Sequence, residues 1–375
     1  MKTAVKHIAN RYNWIDYARG IAIILVVYRH SFEGIKRAGF STVNYRFLEY
    51  ANIIFFSFRM PLFFIVSGIF ISGSLFKRGL NQFIGNKAKT ILYPYFLWGI
   101  LQITLQLLFG QYLSSQRKVS HYLDLFYLPR EVEQFWYLYA LFNVSVLYAI
   151  IKIKLKLLPK HQLLLGLALF LLSAFTAQNN IDLGFVNDIF HYYLFFALGD
   201  NLSELIRSEN NRKFLSSWKL FFILLPLFIV SQIYFLIVNL NHSPEKFKYL
   251  YTEYYQPFAY ILIALIGCCF IMNITYMLQQ KNTVVLLRRI GFYSLYIYVC
   301  HVMITAPTRI LLNRLLHISN VPFLLLCCVI AGVFIPILIY NLAMKLNMPW
   351  LYSLEKEGPK LSASKVTASK PLSVL

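Results

Sequence analysis

His30 and Glu33 stand three residues apart inside an apolar stretch, a spacing that lets two side chains meet on one helix face. A carboxylate beside an imidazole fixes its tautomer and favours its protonated form, and such a pair suits abstraction of a proton from a hydroxyl. Arg19 lies eleven residues before His30. On a helix that is three turns plus about 20°, so both side chains face one side, roughly 16 Å apart along the axis. One face thus offers a cation near one end and an imidazole towards the other. Charged groups are costly in an apolar span, and the default reading of them is a functional site. The plain alternative for His30 is a hydrogen bond to a neighbouring helix.

Further groups join this set with less force. Asp16 and Arg19 are also three apart, and form either an ion pair near the interface or, for Arg19, the wall of a polar shaft shared with His30. Arg59 and His301 lie in later apolar stretches, at a depth similar to His30 and Glu33 if the spans alternate in direction. An interhelical hydrogen bond accounts for His301 equally well. Arg29 points about 100° away from His30 and reads as snorkelling to the interface. Asp188 and His191, at a helix end, read as solvated. Lys77, Arg78, Lys87 and Lys89 suit phosphates, but they also satisfy the positive-inside rule.

The elements that position these groups follow from composition. The 375 residues are 58% hydrophobic and 14% charged, and the apolar residues come in blocks near the length of a bilayer-crossing helix. Ten spans are predicted, near 14–33, 51–74, 90–109, 135–151, 162–178, 185–205, 218–239, 257–278, 288–311 and 321–344. The runs are continuous and lack period-two alternation, which excludes a closed barrel. The expected fold is an all-α, polytopic membrane bundle. A segment 1–13, a membrane domain 14–345 and a largely disordered tail 346–375 divide the chain.

The net charge of +21 does not imply nucleic acid, because the basic residues sit in short loops and form no continuous patch. They crowd alternate loops, such as Lys77 to Lys89, Lys152 to Lys160 and Arg207 to Lys219, which places both termini in the cytoplasm of a multi-pass inner-membrane protein. Cys268, Cys269, Cys300, Cys327 and Cys328 all fall in apolar blocks, so neither a disulfide framework nor a metal site is expected. The first block is too long for a signal-peptide core and lacks a small-residue cleavage site. No phosphate-binding loop, nucleophile elbow or internal repeat stands out.

The chain resembles the acyltransferase 3 family of integral membrane O-acyltransferases. Asp16-Tyr-Ala-Arg19-Gly20-Ile-Ala-Ile-Ile-Leu-Val-Val-Tyr-Arg-His30 is similar to that family's Arg-x10-His helix. Phe58-Arg-Met-Pro61-Leu-Phe-Phe-Ile-Val-Ser67-Gly68 resembles its M-P-L-F-F-x-x-S-G signature. Lys87-Ala-Lys-Thr-Ile-Leu-Tyr-Pro94-Tyr, Phe135-Trp136-Tyr-Leu-Tyr-Ala-Leu-Phe and Ser294-Leu-Tyr-Ile-Tyr-Val-Cys-His301 resemble its later elements, in family order. Two departures stand out: Arg59 occupies a position where the family often has histidine, and Lys87 and Lys89 replace the usual arginines.

The resemblance implies transfer of an acyl group, usually acetyl, from cytosolic acyl-CoA to a hydroxyl of an extracytoplasmic or lipid-linked carbohydrate. It makes His30 the general base or transient acyl carrier, with Glu33 orienting it. Arg19, with Asp16 beside it and Lys87 and Lys89 nearby, engages the donor, while Arg59 and His301 position thioester or acceptor. No metal or resident cofactor is implied. No hydrolase-like domain follows within these residues, so a second acylation step would call on another protein. Two alternatives remain: a transporter or flippase for a lipid-linked sugar or small anion, and an assembly subunit of a glycan-export system.

Overall fold

The computed structural model describes residues 13–110, 117–242 and 250–355. Among them there are helices and turns but no strand. The principal helices are α1 (Asn13–Arg37), α2 (Arg46–Ile54), α3 (Phe56–Gly68), α4 (Ile71–Lys87), α5 (Tyr93–Leu108), α6 (Trp136–Lys154) and α7 (Pro159–Gln178). They continue with α8 (Phe185–Asn201), α9 (Trp218–His242), α10 (Pro257–Lys281), α11 (Val285–Phe292), α12 (Ser294–Arg314) and α13 (Val321–Lys345).

Eight stretches are long and apolar enough to cross a membrane: 43–68, 71–108, 129–154, 159–178, 218–242, 257–281, 294–314 and 321–345. The other two of the ten expected spans are α1 and α8, which carry the charges. α1 holds Asp16, Arg19, Arg29 and Glu33, and α8 is 17 residues long with Asp188 and Asp200. Both sit inside the bundle. α1 packs on α3, α10, α11, α12 and α13, and α8 on α3, α6 and α7. α9 lies at the periphery, with Phe222, Ile223, Val230 and Ile233 exposed, as a lipid-facing helix requires. We conclude that the protein is an all-α polytopic membrane bundle.

Glycines let the two charged helices come close to their neighbours. A methyl group at Gly68 would meet the Phe196 carbonyl, and one at Gly199 the Ile65 carbonyl. α3 and α8 therefore cross backbone to backbone, as small residues permit in membranes. α1 and α11 do the same: a methyl at Gly20 would strike the Leu287 carbonyl, and one at Gly291 that of Asp16. A polar knot ties the same end of α8 to α6 and α4. Lys152 Nζ lies 2.5 Å from Asp200 Oδ2, which also accepts from the Tyr148 hydroxyl at 2.7 Å. Ser72 of α4 donates to the other carboxylate oxygen.

Three expectations change here. The single span near 288–311 is two helices, α11 and α12, broken at Tyr293. The third span is longer than expected, running from α4 through a π-helical turn, Ala88–Leu92, into α5. Residues 346–355, assigned to the tail, pack back on the bundle. Tyr352 is buried among Trp98, Tyr296 and Tyr340, and Trp98 Nε1 donates to the Leu351 carbonyl at 2.7 Å. Residues 1–12 of the expected N-terminal segment 1–13, and the remainder of the tail, 356–375, lie outside the described residues.

Candidate active site

The C-terminal half of α1 lines a distal chamber made of two adjoining cavities. His30, Glu33, Arg37 and Glu133 line both. One cavity, about 230 Å³, adds Arg29, Phe56, Arg59, Arg130, Trp136, Tyr192 and Tyr298. The other adds Gln106, Thr305, Arg309 and Cys328. The structure thus gathers His30, Glu33 and Arg59 from α1 and α3.

His301 stands behind His30 and is fully buried. The two imidazoles are tilted against each other with centroids 5.2 Å apart. His301 Nδ1 lies 2.8 Å from the Tyr298 carbonyl and 3.1 Å from that of Ile297. Those contacts assign the proton to Nδ1 and leave the Nε2 lone pair uncommitted among the described residues.

His30 and Glu33 share a face, but no hydrogen bond joins them among the described residues. Asn52 of α2 donates to the Glu33 carboxylate at 2.9 Å instead. The amide at the end of a neighbouring helix takes the carboxylate that the spacing offered to the imidazole. Arg29 does not snorkel. Its guanidinium lies 4.6 Å from the centre of the Phe56 ring and lines the chamber.

Asp188 and His191 are not solvated, being 1% exposed. Arg130, from the irregular segment before α6, reaches Asp188 at 2.6 Å. His191 stands 2.9 Å from Glu253, itself 1% exposed, among the rings of Phe170, Tyr192, Tyr254 and Tyr260. The helix end is roofed by Tyr251–Tyr255, a turn that has no span-like signal in the sequence.

The N-terminal half of α1 opens on a different, proximal cavity of about 790 Å³, within the usual range for ligand pockets. Its walls include Asp16, Arg19, Lys77, Arg78, Arg207 and Tyr296. Four cations against one carboxylate make a place for anions. Lys87 is half-buried with its ammonium 5.6 Å from the Phe83 ring, and feels the charges of Arg19 and Arg78. The Lys89 side chain is exposed and lines none of these cavities, while its backbone carbonyl accepts from Leu354 N at 3.3 Å.

Arg19 and His30 line different cavities. The proximal and the 230 Å³ distal cavities share no lining residue. Two tyrosines stand between them. Tyr298 lines the distal chamber and donates to the Gln134 carbonyl. Tyr137 meets it edge-on, with centroids 5.4 Å apart, and is close enough to Arg19 to feel its charge. The aligned positions on α1 are correct by spacing, but aromatic side chains from α6 and α12 fill the gap.

Sequence reasoning passed over Glu133, Arg130 and Arg207. All three lie in short irregular or single-turn segments, where no hydrophobic period marks a facing side. The one available signal was the placement of Arg130 and Glu133 just before the Phe135-Trp136 element.

A family profile described as an acyltransferase domain matches residues 12–341. The nodulation protein NolL of Sinorhizobium fredii (strain NBRC 101917 / NGR234) is 28% identical over 203 residues, 54% of this chain and 51% of its own length. The nodulation protein NolL of Mesorhizobium japonicum (strain LMG 29417 / CECT 9101 / MAFF 303099) is 33% identical over 97 residues, 26% of this chain and 25% of that protein. The chain thus matches about half the length of the first relative and a quarter of the second. No solved structure matches. With the family profile spanning both cavities and every helix between them, the chain belongs to the acyltransferase 3 family.

Proposed function

We propose that the protein moves an acyl group, acetyl in the usual case, from acyl-CoA on the cytosolic side to a hydroxyl of an extracytoplasmic or lipid-linked carbohydrate. It would do so from the inner membrane with both termini cytoplasmic. The observation that carries this reading is the pair of polar cavities at opposite ends of α1, one rimmed by cations and the other holding His30.

Arg19, Lys77, Arg78 and Arg207 would take the donor phosphates, and the thioester would reach upward past Tyr137 and Tyr298. His30 would accept the acceptor's hydroxyl proton as that oxygen attacks the thioester carbonyl. The new C–O bond forms, the C–S bond breaks, and the departing thiolate is protonated to free CoA. His301, through its unprotonated Nε2, would steady the His30 ring and its charge. The alternative order passes through an acyl-His30 intermediate, for which ping-pong kinetics are the signature.

A transporter is the second reading, favoured by two polar cavities with aromatic rings between them. The discriminating experiment is mass spectrometry of surface glycans from cells carrying wild-type or His30→Ala protein, alongside purified protein given labelled acetyl-CoA. Loss of the acyl mass increment in the variant is expected, with transfer falling at least ~100-fold, the low end of what a general base contributes. Wild-type glycans in cells with His30→Ala would remove His30 from the chemistry, and absence of thioester-dependent acylation would favour transport.

A further inference from the structure

The distal chamber carries more positive charge than proton abstraction needs. Four arginines line the 230 Å³ cavity, against Glu33 and Glu133. Two of the arginines are committed: Arg130 pairs with Asp188 at 2.6 Å, and Arg37 with Glu133 at 3.1 Å. Arg59 is different. It is 4% exposed, and its hydrogen bond is a long one, 3.4 Å to the Leu25 carbonyl. Its guanidinium lies 5.2 Å from the centre of the Phe56 ring, the same ring that Arg29 covers. Among the described residues, no carboxylate forms an ion pair with Arg59.

A guanidinium held out of water with no carboxylate in contact is costly, and the Glu33 charge acts on Arg59 only across the cavity. A second cation on the same aromatic ring raises that cost. An anion arriving in the cavity would offset it, and the planar fork of an arginine matches phosphate and carboxylate oxygens. The donor's phosphates do not explain this charge, because the proximal cavity already supplies cations for them. An uncharged sugar does not explain it either, since hydroxyls need mixed donors and acceptors and gain little from a buried cation. Trp136 and Tyr192, tilted against each other with centroids 5.4 Å apart on the same wall, offer faces for a sugar ring beside the charge.

We infer that the acceptor carries an oxyanion close to the hydroxyl that reacts, and that Arg59 is the residue that binds it. This rests on the acyl-transfer reading for the word acceptor, but the oxyanion site stands on Arg59 alone. The oxyanion is either a phosphate, as in a sugar joined to a lipid carrier, or the carboxylate of an acidic sugar.

The test uses the full-length protein in detergent and follows ligand-dependent melting with a hexose 1-phosphate, a hexuronate and the neutral hexose. One or both charged sugars should raise the melting temperature of wild-type protein, and the neutral sugar should not. Which charged sugar does so identifies the source of the oxyanion. Arg59→Gln should weaken that binding at least ~10-fold, the size of a charge-assisted hydrogen bond. Arg59→Lys, which keeps the charge and loses the fork, should retain part of it, and its melting without ligand reports folding. Failure of both charged sugars to bind wild-type protein overturns the inference. So does binding that survives Arg59→Gln, which would belong to the proximal cavity. The His30→Ala protein should still bind the charged sugar while failing to acylate it. Arg59-dependent binding by a wild-type protein that transfers no acyl group would sink the transfer reading and leave this one standing.

Discussion

Glu133 is where side-chain chemistry and backbone conformation pull in opposite directions. Its φ of 55° and ψ of −116° fall where residues with a Cβ settle only at a cost of order 1–3 kcal/mol. The same conformation points its carboxylate at the wall shared by both distal cavities, where it meets Arg37 and, at 3.4 Å, the amide of Gln102. Glu133→Gly should therefore relax the backbone and raise stability by about 1 kcal/mol, the low end of that range. The partly exposed ion pair it surrenders is worth little. Acyl transfer should fall in the same protein, because Arg37 is released into the chamber. Melting and turnover measured together check this, and a variant that loses stability and keeps full activity would refute it. At this scale the sequence was a partial guide. His30, Glu33, Arg19 and Arg59 stand out because charge is conspicuous in an apolar run. Glu133 and Arg130 do not, because in a loop a charged side chain is the ordinary case.

The helices were legible as apolar blocks of bilayer length: ten were expected, and among the described residues eight stretches are long and apolar enough to cross, with α1 and α8 at the other two positions. What stayed hidden was how they meet. α3 and α8 touch backbone to backbone at Gly68 and Gly199, and a glycine in a long apolar run carries no label saying which neighbour approaches it. Gly199→Ala should push α8 off the Ile65 carbonyl and cost about 1–3 kcal/mol, as overpacking does. Asp200→Asn, one residue on, should cost about 1–3 kcal/mol by taking the counter-charge from Lys152, which is 20% exposed. The two effects should not add, since both act on adjacent residues at one end of α8. Thermal melting of each variant and of the double variant in detergent measures this, and an unchanged melting temperature for Gly199→Ala would mean that the crossing is not tight.

Across the whole molecule, the Tyr137–Tyr298 pair divides two chambers whose contents would have to meet for transfer to occur. On the proposed function the partition also keeps water from the thioester. Tyr137→Ala should open it, so that acetyl-CoA is hydrolysed without acceptor at a raised rate while transfer to the glycan falls. Release of free CoA with and without acceptor reads both quantities, and a variant with unchanged hydrolysis would show that the rings exclude nothing. The order of the elements has a further bearing on biogenesis. α1 leaves the ribosome long before four of the helices that enclose it, α10 to α13. A segment bearing Asp16, Arg19, Arg29 and Glu33 is poorly suited to wait in lipid by itself. The insertion machinery must shelter it until α13 has been made, so quality-control proteases should clear any nascent chain that stops short of α13.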